Sequence, residues 1–180
     1  VAIGGAIVGG DGNSVANTYG FIGAGSGNTN SGLAAAIVAG TGNTVDADSA
    51  NSFVAAGTTA RILTSPRSFI GTGSNQFISG AADAAIVAGR AQQVVANRAG
   101  ILAGDGNLVQ GANGVIGGGH TNQAIAANSG VFCGDSNGAN AGSDQAGVLA
   151  GSRNAVTGAP NGGIVAGTDN TVTGASAMVG

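Results

Sequence analysis

The chain has 180 residues and a net charge of −3; 43% of it is hydrophobic, 7% charged and 3% aromatic, and 37 residues are Gly. So little charge, with no basic cluster, argues against nucleic acid and anionic membrane as partners. High hydrophobicity with low net charge is also the opposite of what keeps a glycine-rich chain disordered.

In chain order, the first predicted element is a short strand through Ile7 and Val8, followed by Gly10, a turn at Asp11-Gly12, Asn13 and a second short strand through Val15. After a connection the same elements return at Ile22, Gly25, Asn28 and Asn30, and again at Ile37, Gly40, Asn43 and Val45. They recur without interruption as far as Ile164-Val165-Ala166-Gly167-Thr168-Asp169-Asn170-Thr171-Val172. The anchoring glycines from Gly10 to Gly167 are spaced 15 to 17 residues apart and mark eleven copies. A short period sustained over a whole chain is the signature of a stacked repeat, in which each unit buries its apolar face only against its neighbours.

Each column of the repeat has a physical identity. Three residues before the anchoring Gly stand Ile7, Ile22, Ile37, Val54, Ile70, Ile86, Ile101, Ile116, Val131, Val148 and Ile164. A column made only of Ile and Val is expected to face inward from a strand and stack on its own copies. The next residue points to the opposite face by strand alternation. It reads Val8, Gly23, Val38, Ala55, Gly71, Val87, Leu102, Gly117, Phe132, Leu149 and Val165, and is never polar. A strand apolar on both faces is covered on both faces. Val8, Val38, Val87, Leu102, Phe132, Leu149 and Val165 are therefore expected to form a face between copies of the chain, most simply in a homotrimer.

The expected fold is all-β: a parallel β-roll or β-solenoid of about eleven coils, with two short strands per coil and one repeat domain over residues 1–180. Hexapeptide left-handed helices, with ~18 residues per three-sided coil, fit poorly, because the aliphatic positions here fall at i and i+8. Length varies only after the second strand, which marks that segment as the loop. At strand separations of ~4.8 Å, eleven coils make a rod roughly 50 Å long.

Asn13, Asn28, Asn43, Asn107, Asn122, Asn137, Asn154 and Asn170 occupy one column. Regular stacking of side-chain amides predicts a structural ladder that also caps the turn, rather than a ligand site. Gln76 and Gln92 can keep such bonding, whereas Ala60 predicts a gap. The glycine-rich pieces resemble phosphate loops but lack a following helix and a distant acid, so they read as turns. Asp11, Asp105 and Asp135 follow anchoring glycines, yet Ser, Thr, Arg or His takes that place in other copies, which disfavours calcium. His120 belongs to the same free column, and Cys133 has no Cys or second His to complete a zinc site. No nucleophile, base and orienting acid fall together, so neither an enzyme nor a cofactor is expected.

Ile37-Val38-Ala39-Gly40-x-x-Asn43-x-Val45-x-Ala47 and Val148-Leu149-Ala150-Gly151-x-x-Asn154-x-Val156-x-Gly158 resemble the head repeats of trimeric autotransporter adhesins of the YadA type, which read V-A-I-G-x-x-A-x-A-x-G. The Asn-containing repeats also look like those of trimeric phage tail fibres. The resemblance implies a left-handed parallel β-roll, a homotrimer, and an extracellular fibre that attaches to a surface receptor or matrix ligand. Two departures stand out: Asn replaces the Ala of the family pattern, and large and small apolar positions partly exchange. An ice-binding solenoid is the alternative of a different class, but the free positions carry no regular Thr array. The chain begins at Val1 without Met and ends part-way into a further repeat at Met178-Val179-Gly180, so a segment of a longer fibrous protein is expected. No apolar run reaches the ~18 residues of a membrane span, so this segment is not expected to insert.

Overall fold

The computed structural model describes residues 3–180; Val1 and Ala2, where the chain begins, lie outside that range. Strands of two or three residues alternate between two parallel sheets along the entire chain. The first sheet has twelve strands, from Ala6–Ile7 to Met178–Val179, and the second has eleven, from Ser14–Val15 to Thr171–Val172. The β-solenoid expected from the repeat is therefore present, with eleven full coils and Met178–Val179 opening a twelfth.

Pairing joins equivalent columns only. Ile22 pairs with Ile37 and Ile86 with Ile101 in the first sheet; Ile62 pairs with Ile78 and Val94 with Val109 in the second. A third ladder, one residue wide, runs along the turn as isolated parallel bridges from Asp11 and Ser26 to Ser152 and Thr168. The positions that appear free in sequence are thus held by the backbone, and only their side chains vary.

The core lies between the two sheets and is one residue deep from each side. Ile22, Ile37, Ile70, Ile86, Ile101 and Ile116 come from the first sheet, and Val45, Ile62, Ile78, Val94 and Val109 from the second, all fully buried. Burying such a side chain contributes roughly 1.5–3 kcal/mol. Parallel stacking of β-branched residues also gives each one an identical neighbour above and below. Asn30 replaces an aliphatic residue in this core and stays fully buried, because its amide donates to Phe21 O (3.2 Å) and Ala35 O (2.7 Å) and accepts from Gly32 N (3.2 Å).

The connection is more regular than its length variation suggests. Counted back from the following Ile or Val, positions two and five hold only Gly, Ala or Ser from Gly32 and Ala35 onward to Gly174 and Ala177; the first connection places Asn17 at position five. Ser49, Ser52, Ser65 and Ser68 are buried there. Ser52 Oγ donates to Ser65 O (2.9 Å) and accepts from Ser68 N (3.0 Å), and Ser68 Oγ donates to Ala81 O (2.9 Å). Only the residues between the second strand and these columns absorb extra length.

Candidate interaction surface

The first sheet turns its apolar outer face to solvent. Within it, Val8, Val38, Val87, Leu102, Phe132, Leu149 and Val165 are all exposed, Phe132 by 63% and Leu102 by 56%. The residue before the buried stripe shares this face and adds Phe21, Phe53, Val115 and Met178, which are also exposed. Phe53 and Phe69 stack on neighbouring coils, with ring centroids 5.9 Å apart and planes 8° apart. Near the last coils the face carries a dent of about 310 Å³ over Gly147 and Gly163, bounded by Phe132, Leu149, Val165 and Met178. Monomeric soluble proteins rarely leave so long an apolar strip uncovered.

The asparagines form a ladder behind the turn. Asn107 Nδ2 donates to Ala103 O (3.2 Å) in its own coil and to Gly119 O (3.0 Å) in the next, while Asn107 Oδ1 accepts from Asn122 N (2.8 Å). Asn13, Asn28, Asn43, Asn122, Asn137 and Asn154 repeat both halves of this pattern, and the Asn170 backbone N–H donates to Asn154 Oδ1 at 3.0 Å. These amides are committed to backbone and have no spare donors to present to a ligand.

The ladder is broken in the middle. Asn43 Oδ1 still accepts from Ala60 N (2.9 Å), but Ala60 passes nothing on, and Gly57 lacks the left-handed φ of the other anchoring glycines. The two glutamines each keep half of the bonding. Gln76 Nε2 donates to Thr72 O (2.6 Å), whereas Gln92 Oε1 accepts from Asn107 N (3.0 Å). Gln76 Oε1 and Gln92 Nε2 are buried without partners. The extra methylene carries each amide past one of the two points that Asn reaches.

The ion pairs sit on two corners of the coil. On the turn corner, Arg90 pairs with Asp105, His120 Nδ1 with Asp135 Oδ1 (2.9 Å), and Arg153 Nε with Asp169 (2.6 Å). The other corner stands three residues before each buried Ile or Val. It holds Tyr19, Arg67, Asp83, Arg98 and Gln145, all left-handed in φ, and Arg67 Nε bonds Asp83 at 2.6 Å. In all four pairs the base belongs to the earlier coil and the acid to the later one. The hydrogen bond and charge of Arg67 hold the Asp83 carboxyl below the usual carboxylate range; Arg153 does the same for Asp169, and His120 with Ser136 for Asp135. The second corner was not distinguished in sequence, although its position relative to the following stripe is constant.

The structure does gather His120, Asp135, Thr121 and Ser136, which the sequence kept apart by a full coil. Thr121 Oγ1 lies 3.3 Å from His120 Nδ1, the same nitrogen that faces Asp135, and 2.9 Å from Ser136 Oγ. A base must take a proton from its nucleophile through the nitrogen opposite its orienting acid. Both hydroxyls lie on the acid's side of the ring, so the cluster is a hydrogen-bonded patch with no nucleophilic arrangement. Cys133 is exposed, its Sγ 3.5 Å from Leu149 O. Among the described residues no three His, Cys, Asp or Glu side chains converge on a metal-sized site, and no helix is long and apolar enough to cross a membrane.

Comparison with protein-family models and with curated proteins finds no match to this chain. The reading of function therefore stands on the geometry above, whose most extensive feature is the exposed apolar face of the first sheet.

Proposed function

We propose that this chain is a non-enzymatic segment of an extracellular fibre, assembled as a homotrimer through the outer face of the first sheet and used as an adhesive head or spacer. The observation that carries this reading is that face itself, apolar over the length of the rod and exposed in a single chain. Burying it against other copies leaves the second sheet and both charged corners outward. A stack of coils with every backbone strand paired is stiff along its axis and projects whatever lies at its end. The corners vary freely in residue type while the backbone beneath them is fixed, so a surface receptor or matrix ligand engages there. The similarity to adhesin head repeats and to phage tail-fibre repeats supports the fibre assignment without choosing between a bacterial surface and a virion.

Light scattering coupled to size exclusion tests it. The expected mass at micromolar concentration is three times the 16.6 kDa of one chain. A folded monomer at that concentration overturns the proposal.

A further inference from the structure

Each coil of the first sheet has two outward positions, one residue before and one residue after the buried Ile or Val. In all twelve coils one of these is bulky and the other is Gly or Ala. Ala36 accompanies Val38, Phe53 accompanies Ala55, Phe69 accompanies Gly71, and Gly147 accompanies Leu149. The bulky residue changes side along the rod, but no coil carries two large or two small residues. Solvent imposes no such rule. A layer of constant summed size is what close packing against a compensating surface requires.

The glycines on this face divide into two kinds. After the stripe, the chain itself requires Gly23, Gly71 and Gly117: a Cβ on Gly71 would stand 2.1 Å from Val87 O, and one on Gly117 would stand 2.4 Å from Phe132 O. Before the stripe there is room. A Cβ on Gly147 would meet nothing closer than 3.9 Å, one on Gly130 nothing closer than 3.8 Å, and neither residue has a left-handed φ. Gly weakens a strand relative to Ala, and nothing within the chain calls for it at these sites. The dent of about 310 Å³ lies over Gly147 and Gly163, at the C-terminal end of these sites.

We propose that the space is filled by a second copy of this chain, parallel and in register, whose bulky residue after the stripe enters the glycine position of the same coil. Leu102, Phe132, Leu149 and Val165 of one copy then sit over Gly100, Gly130, Gly147 and Gly163 of its neighbour. Register follows from where the compensation occurs. A slip of one coil would set Phe21 against Val38, and antiparallel rods would set Phe69 against Val115. Same-coil pairing of two different columns is a head-to-tail contact about the rod axis, which closes into a ring. A strip about 55 Å long and 10–15 Å wide offers roughly 600 Å² of projected area, near the scale of a stable interface. The inference rests on the face lying between copies, as proposed above, but not on the copy number.

The test compares Gly147→Leu with the exchange Gly147→Leu/Leu149→Gly in the full chain, by sedimentation across a dilution series with circular dichroism as the check on folding. Filling the hole should raise the half-assembly concentration at least tenfold while the coil stays folded, and the exchange should return it close to that of the parent. A Gly147→Leu chain that assembles like the parent, or a folded exchange variant that does not recover, overturns the pairing. A cysteine test is independent of those variants. In a Cys133→Ser background, chains carrying Gly147→Cys mixed with chains carrying Leu149→Cys should form an intermolecular disulfide, whereas Gly147→Cys with Val165→Cys should not; the reverse pattern overturns the register. A trimer without recovery refutes the pairing and leaves the trimer standing. A parallel dimer with recovery supports the pairing and refutes the trimer, and a monomer refutes both.

Discussion

A Cβ placed on Gly104 would stand 2.6 Å from Nδ2 of Asn107, and 2.2 Å from the carbonyl oxygen of Gly119 that this amide bonds. The glycine column and the asparagine column are therefore one device. Gly104, at φ +107°, bends the chain so that the amide fits against its α-carbon and reaches the next coil. Gly104→Ala is expected to lower stability by about 2–4 kcal/mol through clash and backbone strain. Asn107→Ala should cost roughly 2–3 kcal/mol, because it strands the Asn122 N–H and the Ala103 carbonyl, while Gly119 O keeps its bond from Asp105 N. Since both changes disturb one contact, the double variant should fall short of the sum, read by urea denaturation at fixed protein concentration. Additive losses would separate the two columns.

The interrupted ladder points to a stabilising change. Gln76 and Gln92 bury one unpartnered amide atom each, whereas Asn in the same column satisfies both ends. The double variant Gln76→Asn/Gln92→Asn is expected to gain about 1–3 kcal/mol, the scale of two buried polar atoms acquiring partners. An unchanged or lower denaturation midpoint would mean that the methylenes fill space the shorter amide leaves empty.

The stacked coils, the buried Ile and Val stripe and the exposed partner column were legible in sequence, because each rests on period-two alternation repeated through the whole chain. Asn107 and its equivalents were legible for the same reason. The Ser52–Ser68 bonding was not, since insertions after the second strand shift those serines when coils are aligned on the preceding Gly. Alignment on the following Ile restores the column. The cluster of His120 and Asp135 was equally hidden, because contact between coils joins residues fifteen positions apart. The half-bonded state of Gln76 and Gln92 depends on the length of one methylene, which pattern alone does not resolve.

Left-handed residues other than Gly give a third prediction. Ala91 has φ +53° at a turn position that Gly12, Gly27, Gly42 and Gly106 occupy in other coils. The left-handed conformation costs an L-residue about 1–2 kcal/mol, so Ala91→Gly should raise stability by roughly 1 kcal/mol once the greater freedom of unfolded Gly is counted. Ala24→Gly, at a site without left-handed φ, should instead lower it. Matching melting shifts from the two variants would remove the strain argument.

Ile86 and Val87 are neighbours with opposite fates: Ile86 is fully buried between the sheets, and Val87 is 44% exposed on the outer face. Ile86→Asp places an unpaired carboxylate in the core and should abolish folding, a loss of more than about 4 kcal/mol. Val87→Asp should keep the β signal in circular dichroism and shift the scattering mass to that of one chain. Equal behaviour of the two variants would refute the division into an inner and an outer face.

Acid should weaken the fold through the inter-coil pairs. Asp83, Asp135 and Asp169 have lowered pKa values in the folded chain, so the unfolded chain takes up protons first as pH falls. Their contribution is complete above the unfolded value of about 4 and disappears as pH drops through the lower folded values. The melting temperature should therefore hold steady from neutral pH to about 5 and decline below about 4, with a shallower decline at high salt because all three pairs are exposed. The triple variant Asp83→Asn/Asp135→Asn/Asp169→Asn removes these carboxylates and should flatten the acid limb relative to the parent. An acid limb of parental steepness in that variant would assign the pH dependence to the remaining aspartates and deny the three pairs a role.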